Sequence, residues 1–448
     1  VSMMDRALGI DIGVSFIKIC FLDKKSISNV KRIESPSSGK LINGKHEVDP
    51  KLFLDIIVNL IDDFLRIDLN IEKIYVSTQM HGFVLVDDAL QACSNYISWK
   101  DRRSEVFYVE GGGSALDWIK ENISNDILMK TGMGLRSGLP SVNLFVLQRQ
   151  GKIKASMSFG TIGDFIVSNL TSTNISTSLS NAAGTGLFDV ENNNWNSLLI
   201  DKLGIKLKPP LLYKKANRPV GLYKGIEVFP AIGDQQASLL GLERDLSNAA
   251  VSNIATGSQV TLTSSRLILN KSFQTRPYIN NTFLLTIPFI PAGRVLNSLV
   301  SLLKDINNNF FGGKIETKEV WNNLINFTNK IDLHKEYPAT LRINTDFIGS
   351  FSVNGGKVEG INENNFTINE IISAFILDIV NNHVKSLAVL KKYKEFDTVF
   401  MSGGVSERLP IIQKALDMRL EEKIERSSIK EDALNGLRIL SIGDIESW

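Results

Sequence analysis

The 448-residue chain contains only two cysteines, Cys20 and Cys93. Two thiols provide neither a disulfide framework nor a metal-binding set. Cys20 lies in an apolar, strand-like run where a buried and inert thiol is expected. Histidine is nearly as scarce, at four residues, and no second His or Cys stands near His81 to complete a metal site. Neither sign of charge is in excess: 50 basic and 48 acidic residues leave a net of +2. The chain therefore lacks the field that draws nucleic acid or a membrane surface. No apolar stretch approaches the roughly 18 residues that span a bilayer, and no basic-then-apolar leader opens the chain. The expectation is a soluble cytoplasmic protein with no nucleic-acid or membrane partner, a homodimer being left open.

What the chain does contain is an ordinary globular composition, 43% hydrophobic, at a length that calls for two domains. Strand-like and helix-like patterns alternate, which predicts α/β layers. Asp49-Pro50 reads as an N-cap with proline at the first helical position. Behind it Phe53, Ile56, Ile57, Leu60, Ile61 and Phe64 form one stripe at helical spacing. Thr367-Ile368-Asn369-Glu370 reads as a capping box opening a long helix. Thr398 to Met401 is a buried strand running into Ser402-Gly403-Gly404, followed by a helix from about Ser406 to Leu420. The boundary is placed near Glu243-Arg244-Asp245, giving domains 1–243 and 244–448.

Two distant segments look alike. Ala7 to Phe21 and Val251 to Leu262 are each an apolar run, a tight turn of small and hydroxyl residues, and a second β-rich run, hence a β-hairpin. Glycine at the bend lets backbone approach phosphate oxygens, and hydroxyls add donors. Between them stands Gly233-Asp234-Gln235-Gln236-Ala237-Ser238. Phosphoryl transfer to an alcohol needs a carboxylate to orient the hydroxyl and accept its proton, and Asp234 is the candidate. Asp11 alone would be a turn former. Beside two phosphate-type turns it reads as a ligand of ATP-bound Mg²⁺, whose hard charge suits carboxylate and water oxygens. One decoy is Gly39-Lys40-Leu41-Ile42-Asn43-Gly44-Lys45-His46, which follows P-loop spacing until His46 replaces the Ser or Thr. No apolar strand precedes it, so it reads as a hairpin tip.

These hairpins, with Gln79-Met80-His81-Gly82, Trp99-Lys100-Asp101-Arg102-Arg103, Gly184-Thr185-Gly186-Leu187-Phe188-Asp189, the Gly233-Asp234 turn and Ser402-Gly403-Gly404, occur in the order seen in the FGGY carbohydrate kinases. The chain resembles that family of the actin-like ATPase superfamily nearly end to end. The resemblance implies two ribonuclease-H-like α/β domains with an interdomain cleft, ATP and Mg²⁺ as cofactors, and a small sugar as substrate. It implies Asp234 as the base, with Asp11 and Asp234 at the metal. Gly13, Ser15 and Lys18 from the first domain, with Thr256, Gly257, Gly293, Gly403 and Gly404 from the second, are expected at ATP. Gln79, Met80, His81, Trp99, Asp101 and Gln235 are expected at the sugar.

Gln79 to Gly82 and the Gly-Asp-x-Gln-Ala-Ser run are most similar to the ketose kinases of the family, sedoheptulokinases first and xylulokinases next. That likeness implies an unphosphorylated ketose. The absence of Arg or Lys from these loops, other than Lys100, Arg102 and Arg103, agrees with an uncharged acceptor. Departures are Ala255-Thr256-Gly257-Ser258 for Gly-Thr-Ser-Gly, Ser77-Thr78-Gln79 for Ser-Gly-Gln, and Phe347 to Phe351 where relatives carry Gly-Glu-Arg. A catalytically silent relative and a chaperone- or actin-type ATPase are the alternatives.

Overall fold

A computed structural model describes residues 6–39, 42–331, 341–346, 355–443, 445 and 447. The chain forms two compact units. One comprises Val1–Arg244, Ser265–Leu284 and Ile429–Trp448; the other comprises Asp245–Ser264 and Leu285–Ser428. A single cut after residue 243 is therefore not how the chain is divided: two later segments belong with the first unit.

In the first unit, Arg6–Ile12, Phe16–Leu22 and Ile27–Glu34 are antiparallel neighbours in sequence order. Ile71–Thr78 lies on the other side of Arg6–Ile12 and runs parallel to it, with Ile226–Val228 and Ile232–Gly233 parallel to it in turn. Covering both faces of a sheet makes its strands nearly continuous apolar runs, and Leu8, Ile10, Ile12, Ile17, Ile19 and Phe21 are all buried. The helix Pro50–Ile67 covers one face. The Asp49 side chain accepts the Lys51 N–H at 2.9 Å, and Phe53, Ile57, Leu60, Ile61 and Phe64 are buried while Ile56 is half-buried at the rim. Each such side chain stabilises the fold by about 1.5–3 kcal/mol.

The register matters most for function. Asp11 stands opposite Ser77 and Ile12 opposite Thr78, while Ile232 and Gly233 stand opposite the same Ser77 and Thr78. Three parallel strands thus end together, bringing Asp11, Ser77 and Asp234 to the carboxyl edge, where open α/β sheets place ligands. Asp234 begins the helix Asp234–Gly241, which lies against the helix Asp432–Ile442. A Cβ at Gly241 would fall 1.8 Å from the Asp432 carbonyl oxygen, and one at Gly436 would fall 1.9 Å from that of Ala237. Only glycine permits this approach at either position.

In the second unit, Ala249–Asn253 is antiparallel to Ser258–Ser264 and parallel to Thr398–Ser402, which is parallel to Lys423–Arg426. The long helix Ile368–Lys391 starts where the sequence predicts, but only one half of the expected capping box is formed, the Glu370 N–H donated to Thr367 Oγ1 at 3.3 Å. The helix expected from Ser406 to Leu420 is instead two, Gly404–Arg408 and Pro410–Asp417. Pro410 disfavours helical backbone at Leu409, which sits at φ −117° and ψ 82°. The decoy closes as a tight turn: Ile42 bridges Lys45 across Asn43 and Gly44, both at positive φ. Lys40 and Leu41 lie outside the described residues, as do Phe347 to Phe351. Cys20 is buried, and burial pushes its thiol up to about 12.

Candidate active site

At the carboxyl edge of the first sheet, Asp11 is buried and its Oδ1 accepts the Ser77 hydroxyl at 2.5 Å. Its Oδ2 lies 3.6 Å from Lys18 Nζ, which reaches Glu431 at 3.0 Å. Lys18 is therefore ion-paired beside Asp11, on the neighbouring strand. Asp234 accepts the Gln235 N–H at 2.9 Å, and burial together with the charge of Asp11 pushes its carboxyl up to about 7. Asp432 is raised by the same two causes, burial first and Asp11 after it. Carboxylates that repel one another in this way favour a divalent cation between them. Among the described residues no group of three or more His, Cys, Asp and Glu encloses a metal. Nucleotide-bound Mg²⁺ takes one or two carboxylates and otherwise phosphate and water, so the pair Asp11 and Asp234 fits it.

Beside the acids lies a second cluster. His81 has φ +66°, an uncommon conformation for a non-glycine residue. Its Nδ1–H donates to the Gly184 carbonyl at 2.7 Å, which leaves Nε2 as an acceptor. Burial, then the charges of Arg136 and Arg276, hold its pKa well below the ordinary value, so the ring is neutral. Arg276 donates to the Gln235 and Gln274 side-chain oxygens, and lies 3.5 Å from His81 Nε2 and 3.9 Å from Met80 Sδ. Met80, His81, Asp234 and Gln235 are thus gathered around one guanidinium.

Other expected sugar residues sit differently. Gln79 donates its backbone N–H to Ile12 and its side-chain amide to the Gly13 carbonyl at 3.4 Å, bracing the first bend. Asp101 is wholly buried and accepts from His46 N, Arg103 N, and Arg103 Nε and Nη2. With its oxygens so committed, it shapes the loop that carries Trp99 and faces no solvent. Trp99 is half-buried there, and a Cβ on Gly138 would meet its carbonyl at 2.1 Å.

The two bends also differ. The Gly13 N–H is donated to the Phe16 carbonyl at 3.1 Å, closing the first bend on itself, while Ser15 is exposed. In the second, Ala255 N–H donates to Ser258 Oγ at 3.0 Å, leaving Thr256 and Gly257 exposed. Gly293 and Gly403 press against this bend: added Cβ atoms would fall 2.8 Å from the Ala255 oxygen and 2.5 Å from the Ile254 oxygen. Gly404 faces open space.

The loops quoted from sequence carry no cation beyond Lys100, Arg102 and Arg103, but two arginines from elsewhere in the chain stand near His81. Arg276 and Arg136 are both buried at His81, and burial lowers them to about 10 and about 9. The one sequence signal for Arg276 is a charged residue in a strand, Gln274–Tyr278, that is otherwise without charge.

Comparison with known proteins bears on the family and the fold. Residues 6–241 match the model of the FGGY family of carbohydrate kinases, N-terminal domain. The chain is 27% identical over 256 residues to a xylulose kinase of Staphylococcus xylosus, which covers 53% of this chain and 51% of that one. It is 26% identical over 337 residues to a sedoheptulokinase of Mus musculus, covering 66% of this chain and 68% of that one. The crystal structure of ligand-bound xylulose kinase from Lactobacillus acidophilus superimposes with a TM-score of 0.82 at 18% identity, over 98% of this chain and 89% of that one. The chain thus has the two-domain α/β fold of that structure, while spanning about half the length of the xylulose kinase first named. No described helix is long and apolar enough to cross a membrane.

Proposed function

This chain belongs to the FGGY family of carbohydrate kinases, and from that premise we propose that it transfers the γ-phosphoryl group of ATP to a hydroxyl of a small, unphosphorylated ketose in the cytoplasm. Sedoheptulose is the first candidate and xylulose the next. The observation that carries the reading is the strand register that brings Asp11 and Asp234 together at the carboxyl edge of the sheet, where burial and the Asp11 charge push Asp234 up to about 7. A carboxylate so poised is matched to proton transfer near neutral pH.

Asp234 orients the acceptor hydroxyl and takes its proton as the oxygen attacks the γ-phosphorus and ADP departs. Asp11 and Asp234 would hold Mg²⁺, which neutralises phosphate charge when bound. Ser77 fixes the rotamer of Asp11, and Lys18 offsets its charge. Met80, His81 and Gln235 contact the sugar. Ser15, Thr256 and Gly257 meet the phosphates, and Gly293, Gly403 and Gly404 admit adenosine against bare backbone. Residues 1–243 supply the sugar site and 244–448 the nucleotide site, apart from the late segments that join the first unit.

Coupled ADP release with MgATP and sedoheptulose, xylulose, ribulose, glycerol or gluconate tests the reading. Sugar-dependent release with a ketose preferred is expected. Release indifferent to every sugar would place the chain among general ATPases, and a preference for glycerol or gluconate would move it out of the ketose branch.

A further inference from the structure

We propose that Arg276 binds the acceptor and selects for an α-hydroxycarbonyl unit, the group common to ketoses and aldonates, over a simple polyol. The inference rests on the sugar-kinase reading above.

Arg276 is buried, with 3% of its surface exposed, among residues of the first unit. It is held by two neutral amide oxygens, Gln235 and Gln274, with the Asp234 charge acting on it as well, and among the described residues its Nε–H has no acceptor. A guanidinium is donor-only, and a buried donor left unmet is costly. The natural complement is an oxygen that accepts without presenting a hydrogen in return, as a carbonyl or carboxylate does.

The group next to it completes the pattern. His81 has committed Nδ1–H to Gly184, so Nε2 can only accept, and it lies 3.5 Å from an Arg276 Nη. That spacing is long for a hydrogen bond, so each group remains able to take a better partner. A hydroxyl next to a carbonyl supplies both at once: its O–H donates to Nε2 while the carbonyl oxygen accepts from the guanidinium. A polyol offers hydroxyls to both, and at Arg276 the weaker acceptor replaces the stronger. Sites built around a particular hydrogen-bonding group reject analogues lacking it. The Gln235 link also ties this reader to the residue adjoining Asp234, so recognition and chemistry share one helix start.

The test compares wild type with Arg276→Met and Arg276→Lys, using xylulose, its reduced form xylitol, and gluconate. Calorimetry gives affinities, ADP release gives kcat and KM, and thermal melting confirms that each variant is folded. Wild type should prefer xylulose or gluconate to xylitol by about tenfold or more. Arg276→Met should bring the ratio to within about threefold, chiefly through KM, with Arg276→Lys between the two. A ratio between acceptors cancels any general effect of the lost charge on Asp234. Xylulose and gluconate separate the two sources of the carbonyl. An unchanged ratio in folded Arg276→Met overturns the inference, as does a wild type that binds xylitol as tightly or binds none of the three. A wild type that discriminates in calorimetry yet releases no ADP overturns the kinase reading alone.

Discussion

The two hairpins repeat one backbone device and furnish it in opposite ways. Around the first bend are ionisable groups: Asp11 tied to Ser77, with Lys18 and Glu431 beside it. The second bend, Ala255 to Ser258, carries no charge and is packed instead by Gly293 and Gly403 from below. Charge is costly to bury and is kept where it can act on charge that develops during a reaction. Close-packed glycine suits a surface that must only admit a ligand. The difference predicts that damage to the first unit's acids is felt in turnover and metal demand, and damage at the second bend in nucleotide affinity and stability.

The largest effect should come from Asp234→Asn, which is expected to lower kcat by about two to four orders of magnitude, the range for a positioned base. Near-normal ADP release from this variant would break the comparison outright. The same variant sharpens it through pH. A carboxyl raised to about 7 in the folded protein binds its proton more tightly than the unfolded chain does. Stability is therefore lost as pH rises from the ordinary Asp range through about 7. Asp234→Asn should melt above wild type at pH 8, and the gap should close below pH 6.

Next in size, Asp11→Asn should abolish most activity at ordinary Mg²⁺, while Ser77→Ala, which frees the carboxylate it orients, should raise the Mg²⁺ needed for half-maximal rate by about 10–100-fold. A Mg²⁺ titration that is unmoved in both would remove the metal from the first bend. On the other side, Gly403→Ala forces a Cβ within 2.5 Å of the Ile254 oxygen at φ +98°. It should destabilise the protein by about 1–3 kcal/mol, read as a lower denaturant midpoint. The smallest effect belongs to Thr256→Val, which removes one hydroxyl donor and should raise KM for ATP by about 2–10-fold with kcat preserved. A fall in kcat of the Asp234→Asn kind would mean that the second bend takes part in the chemistry after all.

What could be read from sequence was what neighbours in the chain decide. The Asp49 cap, the stripe from Phe53 to Phe64, the hairpins and the Thr367 cap depend on contacts within a few residues, and each is formed. Pro410 is equally local: a proline inside the stretch from Ser406 to Leu420 is itself the signal for the break at Leu409. Arg276 belongs to another kind. A strand arginine reads as a solvent-facing residue, and only contacts with Met80 and His81, 196 and 195 residues away in sequence, place it at the Gln79 to Gly82 loop. Asp432 escaped for the same reason, its neighbours Asp11 and Ser238 lying far back in the chain. Asp101 shows the converse: the motif points to a sugar contact, but four donors surround the carboxylate and hold it within its own fold region.

The glycine-to-backbone seam between Asp234–Gly241 and Asp432–Ile442 carries a consequence for how the molecule is made. Asn435 Nδ2 donates to the Gly241 carbonyl at 2.6 Å across 194 residues of sequence. A ribosome therefore exposes the helix that carries Asp234 long before the helix that seats it exists. At about 5–20 residues per second, the helix Asp234–Gly241 waits roughly ten to forty seconds for the segment that packs on it. Until Asp432–Ile442 is made, the helix that begins at Asp234 lacks the backbone against which Gly241 packs.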